Sequence, residues 1–300
     1  MKNLLPVCCL FAALWMGAAS ATDNPTQLVM LEADPQSETS SGTAFQTLLD
    51  PQKLKLRSAS ALIVDQFGNE IYAKQVDEPQ PIASISKLMT AMVILDASLP
   101  LEEPITITKD DRDLLRLTGS RLKYGATLPR EQLIRLALMS SENRAANALA
   151  RTYPGGKEAF VEAMNAKARA LGMNNSHFAD PAGLDAGNVA SPRDLVKMVR
   201  AADEYPLIRE ATTTRTTSVS PYKKRGPLKF GNTNRLLANS AWDINLSKTG
   251  YINEAGRCLV MEVEIAEQPL VIVLLNAFGK LTPFGDSNRI RQWIEREISG

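Results

Sequence analysis

Histidine occurs once in the 300-residue chain, at His177, and cysteine three times, at Cys8, Cys9 and Cys258. A serine-histidine-aspartate triad or a histidine-bearing metal site would therefore depend on His177 alone. That residue stands in the turn-rich segment Asn174-Asn175-Ser176-His177-Phe178-Ala179-Asp180-Pro181 and reads as structural or solvent-facing. No Gly-x-Ser-x-Gly elbow, phosphate-binding Gly-x-x-x-x-Gly-Lys loop or Cys-x-x-Cys pair is present, which removes several common enzyme classes. Excess charge is lacking too: 34 basic residues face 33 acidic ones. A near-neutral chain has no electrostatic reason to take nucleic acid or anionic membrane as its main partner. Internal repeats are absent, and no run after the first residues approaches the roughly 18 apolar residues of a membrane span.

The chain starts with Met1-Lys2-Asn3, continues through an apolar stretch from Leu4 to Met16, and reaches Gly17-Ala18-Ala19-Ser20-Ala21. A basic start, a short apolar centre and a small-x-small end make residues 1–21 a secretory signal peptide, with an uncleaved anchor as the alternative. Cys8 and Cys9 leave with it. Cys258 then has no partner for an internal disulfide, and its apolar surroundings make it a small buried hydrophobe. Residues 22–57 are polar and punctuated, as in Asp34-Pro35-Gln36-Ser37, and read as a flexible leader before a folded body over 58–300.

The body opens with two β-rich runs around Gln66-Phe67-Gly68-Asn69, a hairpin. Ile105 to Thr108 could form a short strand, after which helical periodicity dominates from Asp110 to about Gly172 and resumes at Ser191-Pro192, a cap followed by a first-turn proline. Beyond Pro221 the period returns to two. Trp242 to Lys248 reads as a strand that Gly250 ends, Arg257 to Ala266 and Pro269 to Ala277 as central strands, and Asp286 to Glu295 as a closing helix. The pattern predicts a mixed α and β domain whose two ends share an antiparallel sheet.

Three short motifs fall at element boundaries. Ser84-Ile85-Ser86-Lys87 precedes an apolar helical run, so the hydroxyl and the amine share a face at i and i+3. The start of a helix adds unpartnered backbone N–H groups and a positive field, both suited to an acyl-transfer nucleophile. Ser141-Glu142-Asn143 interrupts a helical region with a hydroxyl and an amide. Lys248-Thr249-Gly250 places an ammonium, a hydroxyl and a bare backbone at a strand end. Each motif alone has an ordinary structural explanation as a helix start, a cap or a solvated strand end. With histidine excluded, lysine is the base left to activate a serine.

Together, Ser-x-x-Lys, Ser-x-Asn and Lys-Thr-Gly resemble the penicillin-recognising serine transferases. Pro81-Ile82-Ala83-Ser84-Ile85-Ser86-Lys87-Leu88-Met89-Thr90-Ala91 and Asp180-Pro181-Ala182-Gly183-Leu184-Asp185 narrow the resemblance to the low-molecular-mass D-alanyl-D-alanine peptidases of the serine S11 type. It implies an α+β, three-layer α/β/α domain of the β-lactamase/transpeptidase-like fold, its antiparallel sheet interrupted by an all-helical subdomain over about 105–215. It further implies Ser84 as acylated nucleophile and Lys87 as general base. Ser141 would relay a proton to the leaving amine, and Asn143 would orient Lys87 and the substrate amide. Lys248 would supply positive field, Thr249 would contact the peptide, Gly250 would let it lie alongside the strand, and Tyr251 would lend an oxyanion-hole N–H together with Ser84. No cofactor or metal is implied. The expected partners are peptidoglycan peptide stems and, as covalent inhibitors, β-lactam antibiotics, in the periplasm.

Two departures bear on substrate. The best-known carboxypeptidases of the family carry an arginine in Asn-Arg-Asn-x-Leu-Leu; here the segment is Asn232-Thr233-Asn234-Arg235-Leu236-Leu237, and Thr233 cannot hold a carboxylate as a guanidinium can. The chain also stops after one terminal helix, without their second domain. Both features resemble the endopeptidase branch, which cuts D-alanyl cross-links. The alternatives are a pentapeptide-trimming carboxypeptidase, a β-lactamase, disfavoured because the segment from Phe178 to Ser191 has no glutamate, and an inactive cell-wall-binding homologue.

Overall fold

The computed structural model describes residue 45 and residues 47–299. The expected signal peptide and most of the expected leader lie outside the described residues. Five strands form the main antiparallel sheet: β1 (Ser60–Asp65), β2 (Glu70–Lys74), β3 (Asp243–Ile252), β4 (Gly256–Ile265) and β5 (Gln268–Ala277). Their order is β3-β4-β5-β1-β2, so strands from the two ends of the chain meet where β1 pairs with β5, Ile63 opposite Ile272. This register explains why β1 is buried at all six positions. Leu62 and Val64 face one core, while Ala61 and Ile63 face the other, so apolar residues are needed on both faces.

The first core lies between the sheet and most of the helices: α1 (Lys87–Asp96), α2 (Arg130–Met139), α3 (Asn143–Arg151), α4 (Gly156–Ala170), α5 (Pro192–Asp203) and α6 (Pro206–Thr213). α1 is buried from Lys87 to Ile94, as befits a helix that is apolar nearly all round. The second core is closed by α7 (Thr282–Ser299), which contributes Ile290, Trp293 and Ile294. Helices therefore cover both faces of the sheet in an α+β, three-layer arrangement. No helix among the described residues is long and apolar enough to cross a membrane.

Four sequence expectations are corrected. The leader is not flexible to its end: Phe45, Leu49, Leu54 and Leu56 are buried in the second core, and the Trp293 indole donates to the Asp50 carbonyl at 3.2 Å. Their spacing matches neither regular period, so the polar residues between them dominated the reading. The helical stretch from Asp110 is replaced, as far as residue 126, by one short turn (Lys109–Asp111) and loop. Asp113 captures the amides of Leu115, Arg116 and Thr118 at 2.9 Å each, which competes with a helical ladder. Gly250 does not end β3, which continues to Ile252. The final helix begins four residues before Asp286, at Thr282.

Candidate active site

Ser84 sits in a 3-10 turn, Ala83–Ser86, immediately before α1, and Lys87 is the first residue of that helix. The turn is strained at Ala83, whose φ is +49°. Ser86 braces it by donating its hydroxyl to the Ala83 carbonyl at 2.8 Å. Two glycines from distant elements make room for this turn. A Cβ on Gly183 (φ +74°) would lie 2.0 Å from the Ala83 oxygen, and one on Gly250 would lie 2.7 Å from the Ile82 oxygen and 3.2 Å from the Ser84 nitrogen. The missing Gly250 side chain also makes room for the backbone that carries Ser84.

The Lys87 amine lies 2.8 Å from Ser84 Oγ, 2.8 Å from Asn143 Oδ1 and 2.5 Å from the Ala182 carbonyl. These three partners match its valence. As an ammonium it donates to all three; once neutral it can donate to Asn143 and Ala182 and turn its lone pair to the Ser84 hydroxyl. Burial pushes its pKa down to about 7, against the upward pull of the Asp180, Glu142 and Asp113 carboxylates. Asn143 passes the order outward: its Nδ2 donates to Thr118 Oγ1 at 3.0 Å, and Thr118 donates to Asp113 Oδ2 at 2.7 Å.

Ser141 occupies the break between α2 and α3 with φ +57°, and its hydroxyl accepts from Lys248 Nζ at 3.1 Å. Lys248 also donates to the Thr249 carbonyl at 3.0 Å. It is buried, and burial followed by the charge of Lys87 holds its pKa well below the ordinary lysine value. Glu142, between Ser141 and Asn143, is buried and caps α3 by accepting from the Arg144 N–H. Thr249 donates to Thr233 Oγ1 at 2.7 Å. Tyr251 exposes its side chain, and its hydroxyl donates to Asn253 at 2.9 Å. Ser84, Ser141, Asn143, Thr249, Gly250 and Tyr251 line one cavity of about 560 Å³, with Lys87 and Lys248 buried behind them. His177 is exposed and lines no part of it.

Sequence reading missed the loop that aims Ala182. Asp180 accepts from the amides of Ala182, Gly183, Leu184 and Asp185 at 2.6–2.9 Å and from Asn188 Nδ2 at 2.7 Å. Five donors on one carboxylate lock the loop that presents its carbonyl to Lys87. Asp180-Pro181-Ala182-Gly183 was legible as a motif, but nothing local tied it to Lys87. Thr118 and Asp113 were missed because the Asn143 contact spans 25 residues. No group of three or more residues suited to hold a metal exists among the described residues.

The sequence profile of the peptidase S11 family, D-alanyl-D-alanine carboxypeptidase, matches residues 47–279. The chain belongs to this serine peptidase family. Among similar proteins, a D-alanyl-D-alanine endopeptidase of Pseudomonas aeruginosa is 48% identical over 246 residues, 82% of this chain and 79% of the relative. One from Escherichia coli is 48% identical over 242 residues, covering 80% and 78% of the two chains. Among solved structures, the Streptomyces K15 DD-transpeptidase superposes with a TM-score of 0.75 at 26% identity over 81% of this S11 peptidase and 98% of that chain. The expected family and fold are thereby met.

Proposed function

We propose that this S11 peptidase is a periplasmic D-alanyl-D-alanine endopeptidase that opens peptide cross-links of peptidoglycan through an acyl-enzyme on Ser84. The observation that carries the reading is the buried Lys87 amine, 2.8 Å from Ser84 Oγ with a pKa near 7. An amine half neutral at working pH is a matched general base. Lys87 takes the hydroxyl proton as Ser84 Oγ bonds to the scissile carbonyl carbon. The oxyanion is received by the backbone N–H groups of Ser84 and Tyr251, and donors of this kind contribute roughly 2.7–4 kcal/mol each. Before it takes that proton Lys87 is neutral, and the lesser of the two influences that lower the Lys248 pKa is absent, while burial, the larger, remains. The C–N bond then breaks as the proton taken by Lys87 passes on to the leaving amine through Ser141, which Lys248 already contacts, and Lys87 is neutral again. Thr249 and β3 hold the peptide, and water releases the acyl group.

β-Lactams would acylate the same serine and leave slowly. A β-lactamase needs a carboxylate free to activate water, and here Asp180 is consumed by five donors. The endopeptidase preference is supported by Thr233, whose hydroxyl is bound to Thr249 where carboxypeptidases place an arginine, and by the two relatives at 48% identity. The test supplies the purified protein with a pentapeptide stem and with a cross-linked dimer. Dimer cleavage without release of free D-alanine is expected; fast pentapeptide trimming with an intact dimer would refute the preference.

A further inference from the structure

The chain as a whole is nearly neutral, yet the side chains lining the active-site cavity include four cations, Arg116, Arg235, Arg257 and Lys280, and no carboxylate. Arg116 is already neutralised by an ion pair to Glu254 at 2.9 Å and donates its Nε to the Leu184 carbonyl. The other three have no acidic partner among the described residues. Arg257 is the ordered one. Its guanidinium stands 3.5 Å from the centre of the Tyr251 ring, whose hydroxyl is fixed on Asn253, and its backbone is paired opposite Tyr251 across β3 and β4. Stacking on an aromatic face fixes the plane of a guanidinium while leaving its N–H edge free. A half-buried fork without a carboxylate partner, beside the Lys248-Thr249-Gly250 strand, is suited to bind one from a ligand in a bidentate manner.

We propose that Arg257, held on Tyr251 and supported by the field of Arg235 and Lys280, reads a free carboxylate on the leaving segment of an acidic peptide. The inference rests on the endopeptidase reading and adds a specificity determinant to it. Thr233 removes the guanidinium expected for a chain-terminal carboxylate. The remaining cations serve a substrate whose negative charge lies beyond the scissile bond.

The test compares kcat and KM for a cross-linked dimer with free carboxylates and for the same dimer amidated at those positions, using wild type, Arg257→Gln and Arg257→Lys. Wild type is expected to prefer the free-acid dimer by about tenfold to a hundredfold, the scale of a charge-assisted contact, mainly through KM. Arg257→Gln should collapse that ratio towards one, and Arg257→Lys should restore part of it. Thermal unfolding of each variant separates loss of fold from loss of recognition. Equal cleavage of both dimers by wild type, or an equal loss on both in a folded Arg257→Gln, overturns the inference while leaving the endopeptidase reading intact. Failure of wild type to cleave either dimer refutes the endopeptidase reading and this inference with it.

Discussion

Replacing Lys87 by methionine exchanges a buried amine for a buried thioether of similar length, and the pH dependence of the stability change isolates the charge. In the folded protein the amine titrates near 7, whereas in the unfolded chain it keeps its ordinary value of 10.5. Between these values unfolding takes up a proton, so this group makes wild type more stable as pH rises, by about 1.4 kcal/mol per unit. Below pH 7 both states are protonated and the contribution is level. Over the full window of about 3.5 units it amounts to about 5 kcal/mol as an upper limit. Lys248 titrates in the same direction. Above pH 8, however, Lys87 is uncharged in wild type, so Lys248 sees a neutral neighbour in both proteins and cancels in the difference. Urea unfolding of the pair at pH 5.5, 8 and 9.5 is the assay. The free-energy difference should move in favour of wild type by about 2 kcal/mol between pH 8 and 9.5. A difference that stays constant over that interval refutes the idea that burial holds Lys87 neutral.

Three further outcomes follow from named contacts. Gly250→Ala drives a methyl against the Ile82 carbonyl and the Ser84 amide; labelling of Ser84 by fluorescent penicillin should fall by about a hundredfold, with a stability loss of about 1–3 kcal/mol in urea melts. Thr118→Val removes the acceptor of the Asn143 amide and should slow acylation about tenfold in stopped-flow assays, whereas Thr118→Ser should restore most of the rate. Leu54→Ala, in the stretch packed beneath the C-terminal helix, should cost about 2–4 kcal/mol by chemical denaturation and leave the acylation rate of the folded fraction unchanged.

The architecture was legible because both ends of the chain carry unbroken apolar β-rich runs, from Ala61 to Val64 and from Leu270 to Leu275, which only a sheet covered on both faces accommodates. Ser84, Lys87, Ser141, Asn143 and Lys248 were legible through motif order, and the structure brings them together. What escaped was set by tertiary contact. The close approach at Gly250 was not legible because what meets its Cα is a turn 166 positions earlier in the chain, around Ser84. Asp180 looks like an ordinary turn aspartate until its five donors are counted, and Arg257 looks like a solvated strand residue until the Tyr251 ring is found beneath it. The end of residues 22–57 was taken for leader because Phe45, Leu49, Leu54 and Leu56 are buried in a core closed by α7, more than 200 residues away.

The proposed mechanism rests on a neutral Lys87 that activates Ser84. Its most direct test is the rate of Ser84 acylation by a β-lactam, followed by quenched-flow mass analysis from pH 5 to 9. The neutral amine forms as pH rises through its pKa, so the rate should climb with a midpoint near pH 7 and be lost in Lys87→Met. A rate independent of pH over this range, or a Lys87→Met protein that acylates at the wild-type rate, would contradict it.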